Sequence, residues 1–418
     1  MNNNNEKILL IGSGPIIVGQ AAEFDYSGSQ ACKSLQEEKK DVILINSNPA
    51  TIMTDPNMAN SVYVEPLNKN IIEKIIQKEH PHYILSSMGG QTSLNIVSEL
   101  DECNILNKYN LKVIGTNIEA IKDTENRYLF HKKMIDIGEP VIQSTVISSI
   151  EDINKILNEY NFPLIVRSAY TLGGEGSGFV NNKIELIDNI KKGLFSSRIH
   201  QVIIEKSVYG WSEVEYEVIR DKNNVCFIVC EMENIDPIGI HTGDSIVVSP
   251  IQTIPNYDKK KLEKAAFKII RSLKIEGVCN IQFAYKNGNY YVIEVNPRSS
   301  RSSALASKAT GFPIASYATK IAIGKSINEI NNFKYRPNSE KIITINYVII
   351  KIPRWSFEKL KKESKILSTS MKSTGEVMGI GNTIEEAIMK AIRSLDIDIY
   401  SIQNKIKKYT KEEIEKKL

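Results

Sequence analysis

The stretch Asn280-Ile281-Gln282-Phe283-Ala284-Tyr285-Lys286-Asn287-Gly288-Asn289-Tyr290-Tyr291-Val292-Ile293-Glu294-Val295-Asn296-Pro297-Arg298-Ser299-Ser300-Arg301 reads as two antiparallel strands joined at an Asn-Gly turn, with functional groups at the strand ends. Glu294 and Asn296 are two residues apart, so on a strand both side chains leave the same face. Gln282, Glu294 and Asn296 offer oxygen ligands of the kind that hard divalent ions share with substrate phosphates. Arg298 and Arg301 follow at once, where a guanidinium can hold an oxyanion. Taken alone, Glu294 and Asn296 also fit a solvated strand edge ahead of a proline turn. The tight turn carries a geometric condition: a two-residue Asn287-Gly288 loop sets Gln282 opposite Ile293, so that Gln282 and Glu294 face opposite ways. For both to serve one metal ion, the loop must be a residue longer or one strand must carry a bulge.

Toward the N-terminus, apolar runs at Ile8–Ile11, Val42–Ile45, Tyr83–Leu85 and Lys112–Ile114 predict strands. Gln20–Glu38, Asn70–Lys78 and Thr92–Leu100 predict the helices between them. This alternation argues for a parallel sheet, whose ligand-binding loops follow the carboxyl ends of the strands. Those loops hold Gly12-Ser13-Gly14-Pro15, Asn46-Ser47-Asn48-Pro49 and Met88-Gly89-Gly90-Gln91-Thr92. The first does not form a dinucleotide fingerprint: its third glycine falls at Gly19, and Asn46 rather than an acid ends the second strand.

A second unit begins near residue 119, with helices expected over Ile118–Ile137 and Ile150–Tyr160 around a strand at Val141–Val146. A strand over Phe162–Arg167 ends in a cation and precedes the glycine-rich loop Thr171-Leu172-Gly173-Gly174-Glu175-Gly176-Ser177-Gly178, which can present backbone N–H groups to phosphate. Glu213, Glu215 and Glu217 alternate on one strand face, which must therefore meet solvent, cations or basic groups. The loop Gly239-Ile240-His241-Thr242-Gly243-Asp244-Ser245 suits hydrogen bonding to ribose or phosphate and equally suits a structural turn. Beyond it a strand pair is expected around Ile342–Lys351, another strand near Glu376–Ile380, a helix over Thr383–Leu395 and a charged helical tail from Ser401 to Leu418.

A length of 418 residues allows two or three domains, and a net charge of +4 is too mild to argue for nucleic acid or a membrane surface as partner. The five cysteines form no Cys-x-x-Cys pair, the five histidines lack zinc-ligand spacing, and Cys226 and Cys230 read as core thiols of a strand. With no apolar run long enough to span a bilayer and no cationic, apolar leader at Met1–Lys7, the expectation is a soluble protein of the reducing cytoplasm. Lysine, asparagine and isoleucine are abundant in loops and helix faces alike, which reads as compositional drift.

Along nearly its whole length the chain resembles the first synthetase half of the carbamoyl-phosphate synthase large subunit, an ATP-grasp enzyme. The resemblance rests on Gly14–Gln20, Glu23–Gly28, Asn46–Pro56, Met88–Thr92, Gly239–Ser245, Asn296–Arg298 and Arg301–Pro313, and the Ala50-Thr51-Ile52-Met53-Thr54-Asp55 wording is similar to the bicarbonate-phosphorylating half. It implies an α/β fold: an N-terminal parallel-sheet, pre-ATP-grasp domain over 1–118, an ATP-grasp domain over 119–400 whose core is 119–330 with 331–400 completing its C-terminal lobe, and the start of a helical oligomerisation region at 401–418. By the same resemblance Arg127 and Arg167 contact ATP phosphates, and the loop with Gly173 and Gly174 closes over them. Lys206, Val208, Glu213, Gly239, Ile240 and His241 line the adenosine pocket. Gln282, Glu294 and Asn296 bind Mg²⁺ or Mn²⁺, while Arg298, Arg301 and Asn280 handle the reacting anion.

The implied activity is an ATP-dependent carbon–nitrogen ligase: bicarbonate is phosphorylated to carboxyphosphate and aminated by ammonia to carbamate, within glutamine-dependent carbamoyl-phosphate synthesis for arginine and pyrimidines. The implied partners are a glutamine amidotransferase small subunit and a second synthetase half, either a separate chain or a homodimer copy. This sequence departs from the family pattern where Ser168 follows Arg167 in place of proline, where Glu175 and Ser177 interrupt the glycine run, and at Lys206, more often acidic. The chain also carries neither the second half nor the allosteric domain of the family subunit. Two other functions stay open: another ATP-grasp ligase such as a biotin carboxylase, and a truncated copy that binds nucleotide without turnover.

Overall fold

The computed structural model describes residues 6–20, 22–171, 176–330, 340–355, 357 and 366–397. The first sheet holds β1 (Lys7–Ile11), β2 (Asp41–Ile45), β3 (Ser61–Tyr63), β4 (Tyr83–Leu85) and β5 (Lys112–Ile114), all parallel in the order β3-β2-β1-β4-β5. Ile8, Leu9, Leu10 and Ile11 are fully buried, as a strand covered on both faces requires. The expected helices form at Ala22–Glu37, Lys69–Glu79 and Gly90–Glu102. β3 was not expected; Ser61-Val62-Tyr63 holds one aliphatic residue, so no apolar run marks it.

Several of the abundant asparagines close helix ends. Asn68, Asn117 and Asn182 accept hydrogen bonds from the backbone N–H of Ile71, Ala120 and Glu185, each satisfying an orphan donor of a first turn. Asn126 does the same for Tyr128 and Leu129, and in doing so it breaks the helix expected over Ile118–Ile137 into Ile118–Glu125 and Arg127–Asp136. Arg127 therefore opens a helix instead of lying within one.

A four-stranded antiparallel sheet follows, β6 (Ser144–Ile147), β7 (Leu164–Ser168), β8 (Gly178–Val180) and β9 (Val202–Lys206), in the order β6-β9-β7-β8. The larger sheet runs β14-β13-β10-β11-β12-β16-β17, from β10 (Ser212–Arg220), β11 (Cys226–Asn234), β12 (Val247–Ser249), β13 (Gly277–Lys286), β14 (Asn289–Asn296), β16 (Val348–Trp355) and β17 (Ser373–Gly381). β15 (Lys341–Ile342) pairs in parallel with the start of β11. The strand pair expected around Ile342–Lys351 is thus corrected: β12 takes only Glu233 and Asn234 of β11, leaving the edge at Phe227 and Ile228 to capture β15, while β16 joins β12 and β17. The helix Ile384–Ser394 starts at the Thr383 cap. The tail from Ser401, and the loop residues Gly173 and Gly174, lie outside the described residues.

One hydrophobic core joins the two halves of the chain. Ile8, Leu10, Leu35 and Leu44 of the first unit share it with Phe227, Phe312, Ile314 and Ile321 of the second. Cys226 and Cys230 are buried strand thiols, and all five cysteines are free.

Candidate active site

The hairpin resolves the register problem by the second of its two routes. The turn is tight, with Lys286 opposite Asn289 and positive φ at both Asn287 (50°) and Gly288 (82°), as a type I′ turn demands. Phe283 pairs with Val292, but Gln282 pairs with Glu294, so Ile293 is the extra residue of a β-bulge. From there Asn280 faces Asn296, and the oxygen donors of both strands share one face. The bulge also leaves the Ile293 carbonyl free of the ladder, and Arg167 Nη1 donates to it at 3.1 Å.

β10 continues these rows. Glu215 lies beside Gln282 and Glu217 beside Asn280. The expectation that Glu213, Glu215 and Glu217 meet solvent, cations or basic groups needs correction, since they are 6%, 1% and 0% exposed and their direct partners are hydroxyls and an amide. Thr242 Oγ1 donates to Glu213 at 2.6 Å, and Ser302 Oγ (2.8 Å) and Asn280 Nδ2 (2.9 Å) donate to Glu215. Ser300 Oγ (2.6 Å), Ser303 Oγ (2.8 Å) and Asn280 Nδ2 (3.0 Å) donate to Glu217. Burial pushes the Glu213 and Glu217 carboxyls up to about 7, which lowers the mutual repulsion of the row. Ser300 and Ser303 form the capping box of the helix Arg301–Thr310, so Glu217 grips the turn that presents Arg298 and Arg301.

Around Glu294 the guanidinium groups converge: Arg167 Nη2 at 2.5 Å and Arg127 Nη2 at 3.6 Å. Burial works against its ionisation, but Arg127, Arg167 and Arg298 together outweigh it and hold the carboxyl below the usual value. Arg298 is buried, donating to Asn296 Oδ1 at 3.0 Å and Gln91 Oε1 at 3.4 Å, while its Nε and the Asn280 Oδ1 are buried without partners. Arg301 pairs with Glu23 at 2.9 Å. Burial, then Arg301, lowers His241 to about 4, so its ring is neutral, and Nδ1 accepts from the Gly243 N–H at 3.0 Å.

These groups line a cavity of about 230 Å³. It brings together Arg127, Arg167, Glu213, Gly239, Ile240, His241, Asn280, Gln282, Glu294, Asn296, Arg298 and Arg301. Lys206 and Val208 are not in its wall: Lys206 is exposed at the end of β9, and Val208 packs with Ile142, Ile238 and Ala284. Thr242 of the Gly239–Ser245 loop lines it as well, and Lys351 and Glu376 line it without having been expected there. No local pattern marks Lys351, which shares the largely apolar strand β16 with Arg354.

Among the described residues no three His, Cys, Asp or Glu side chains gather as metal ligands. The donor set fits a hard divalent ion nonetheless, since Gln282, Glu294 and Asn296 would offer two amide oxygens and a carboxylate, the kind of ligands such an ion shares with phosphates.

A parallel α/β unit followed by two antiparallel sheets closing on such a cavity is the architecture of ATP-grasp enzymes. The fold is similar to that of biotin carboxylase from Campylobacter jejuni (TM-score 0.63, 21% identity, 83% of this chain and 75% of that one). It is also similar to that of N5-carboxyaminoimidazole synthetase from Staphylococcus aureus (TM-score 0.66, 16% identity, 95% and 99%). Residues 4–123 match the carbamoyl phosphate synthase preATP-grasp domain, 126–330 the carbamoyl-phosphate synthase L chain ATP binding domain, and 376–418 the large-chain oligomerisation domain. The chain belongs to the carbamoyl-phosphate synthase large-chain family. It is 60% identical to the large chain of Methanothrix thermoacetophila, over 94% of its own length and 37% of that relative's. To the large chain of Thermoanaerobacter pseudethanolicus it is 53% identical, over 98% and 38%. The chain thus spans well under half the length of these curated relatives. Among the described residues no helix is long and apolar enough to cross a membrane.

Proposed function

We propose that this chain binds ATP in the cavity between its lobes, phosphorylates bicarbonate to carboxyphosphate, and lets ammonia convert that to carbamate. The observation that carries the reading is the bulge at Ile293, because it sets Gln282, Glu294 and Asn296 on one face with Arg127, Arg167 and Arg298 around them. Arg127 and Arg167 hold the phosphates, and the loop with Gly173 and Gly174 covers them. Gly239, Ile240, His241 and Glu213 border the nucleoside, with Lys206 and Val208 further out. Gln282, Glu294 and Asn296 hold Mg²⁺ or Mn²⁺, which when bound neutralises phosphate charge. Arg298 aligns a bicarbonate oxygen for in-line attack on the γ-phosphorus, and ADP leaves. Ammonia then adds to the carbonyl carbon, phosphate departs with the bonding pair, and one proton is released. Asn280 and Arg301 border the reacting carbon. The protein's part is alignment and charge neutralisation, the general logic of phosphoryl transfer.

The supply of ammonia from glutamine by a separate amidotransferase subunit, and a second phosphorylation at another synthetase half, belong to the same proposal, as does placement in arginine and pyrimidine synthesis. So does a division of the chain near residues 118, 330 and 400.

The test is ATP hydrolysis by the purified chain with ¹⁸O-labelled bicarbonate. Attack by a bicarbonate oxygen predicts one label in the released phosphate, and ammonia should raise turnover where biotin does not. Tight ATP binding with no bicarbonate-stimulated phosphate release would identify a non-catalytic copy, and stimulation by biotin a different ligase.

A further inference from the structure

Lys351 is 4% exposed, yet it lines the cavity of the candidate active site. Among the described residues its one hydrogen-bond partner is the Thr242 carbonyl at 3.3 Å, although an ammonium has three protons to donate. Among the described residues, no carboxylate lies within ion-pairing distance of it. The other cations of the cavity wall are occupied: Arg127 and Arg167 by Glu294, Arg298 by Asn296, Arg301 by Glu23. The acids facing Lys351 are Glu376, Glu215 and Asp244, with Arg301 as a further cation. Asp244 already accepts the backbone N–H groups of Lys372 and Ser373 at 2.7 Å, and Glu215 is engaged by Asn280 and Ser302. Glu376 sits opposite Pro353 on β17, diagonal to Lys351, and is exposed. A buried ammonium with spare donors and no carboxylate in ion-pairing contact is costly to the folded chain, and an anion entering the cavity lowers that cost.

Sheet order says which anion. β16 lies beyond β11 and β12 from β10, whereas Gln282 and Glu294 stand on β13 and β14 on the opposite side of β10. Arg127 and Arg167 are held at Glu294, so Lys351 stands across β10 from the guanidinium pair placed on the triphosphate. Resting on the function proposed above, we infer that Lys351 is a substrate-binding residue for the one-carbon oxyanion, holding a bicarbonate oxygen through its free N–H groups at the Arg301 side of the cavity. The ammonium thereby fixes the carbon substrate independently of the nucleotide.

The test reads binding first and turnover second. Thermal unfolding of this chain is followed with Mg²⁺ and a non-hydrolysable ATP analogue while bicarbonate is titrated, since a ligand of the native state raises the midpoint by mass action. Loss of one charge-assisted hydrogen bond should move the half-saturating bicarbonate concentration up about 10-fold to 100-fold in Lys351→Met, with Lys351→Arg in between and the analogue's own half-saturation within about twofold of the parent. An unchanged bicarbonate midpoint in Lys351→Met, or an equal shift for the analogue, overturns the inference. So does the absence of any bicarbonate effect on the parent chain. If Met, Arg and Gln variants all fail to unfold cooperatively, Lys351 is structural and the inference falls. Lys351-dependent bicarbonate binding without bicarbonate-dependent ATP hydrolysis keeps the inference and sinks the proposed function, while hydrolysis with an unmoved midpoint does the reverse.

Discussion

Glu294 is where burial and charge pull hardest against each other, and three guanidinium groups decide the outcome in favour of the carboxylate. Removing it takes away the single anionic donor of the proposed ion site and the carboxylate that Arg127 and Arg167 share, leaving Glu205 beside Arg167 at 3.7 Å. Glu294→Ala should therefore lower bicarbonate-dependent ATP hydrolysis by about 10²-fold to 10³-fold, measured as steady-state phosphate release. A rate near that of the parent would remove the carboxylate from the mechanism. Glu217 presents the opposite balance. Its carboxyl, raised from 4.5 to about 7 by burial, keeps its proton in the folded chain over a range where the unfolded chain has lost it. The folded state then binds more protons, so this group's contribution to stability falls as pH rises from about 4.5 to 7 and is level above that. Glu217→Gln, which cannot titrate, should show a shallower decline of unfolding free energy across that window. Parallel slopes for parent and variant in urea melts at pH 5, 6 and 7 would contradict the assignment.

At the scale of elements, the hairpin shows how a site can depend on one surplus residue. A regular ladder from the Asn287-Gly288 turn would send Gln282 and Glu294 to opposite faces, and the bulge at Ile293 corrects this while offering Arg167 a carbonyl. A comparable constraint operates where the first unit meets the site. Gly89 caps the helix Gly90–Glu102, which carries Gln91 to Arg298, and it lies against the end of β1. A Cβ at that position would stand 2.3 Å from the Ile11 carbonyl oxygen and 2.7 Å from that of Gly12, backbone atoms that cannot swing aside. Gly89→Ala should cost about 1–3 kcal/mol through overpacking, visible as a lower urea midpoint at unchanged slope. A midpoint equal to the parent's would show that the loop relaxes freely.

Across the whole molecule, the core that joins the parallel sheet to the helices after the hairpin makes the two units mechanically one. Ser299 N–H donates to the Ser87 carbonyl at 3.0 Å, which ties the turn with Arg298 to the first unit, and Ser34 Oγ bonds Ser316 Oγ at 2.8 Å, which ties the helices Ala22–Glu37 and Ile314–Ala322 together. Phe312 is buried within that core, with ring centroids 5.2 Å from Phe227 and 4.4 Å from Tyr317. Phe312→Ala should destabilise the chain by about 3–5 kcal/mol. Because Trp211 and Trp355 both lie in the second unit, tryptophan fluorescence and far-ultraviolet circular dichroism should lose their signals in one coincident transition. Separate transitions would show that the shared core does not couple the units.

Strand and helix alternation in the first unit was legible because buried parallel strands are continuous apolar runs, whereas the short pieces β3, the 3-10 turn Ile52–Thr54 and the helix Ile105–Lys108 carry no such signal. The donor types at Gln282, Glu294 and Asn296 were legible too, and so was the condition that a tight turn would need a bulge to unite them. The sequence by itself thus determined which oxygens and guanidiniums were available and roughly which loops carry them. Only the tertiary structure decided that the acids of β10 are buried, that β15 leaves β16 to pair with the edge of β11, and that Lys351 reaches the same cavity as Arg301. The physical reason is that burial and long-range strand pairing depend on segments far apart in the chain, whereas periodicity and turn chemistry are set by residues within a few positions of one another.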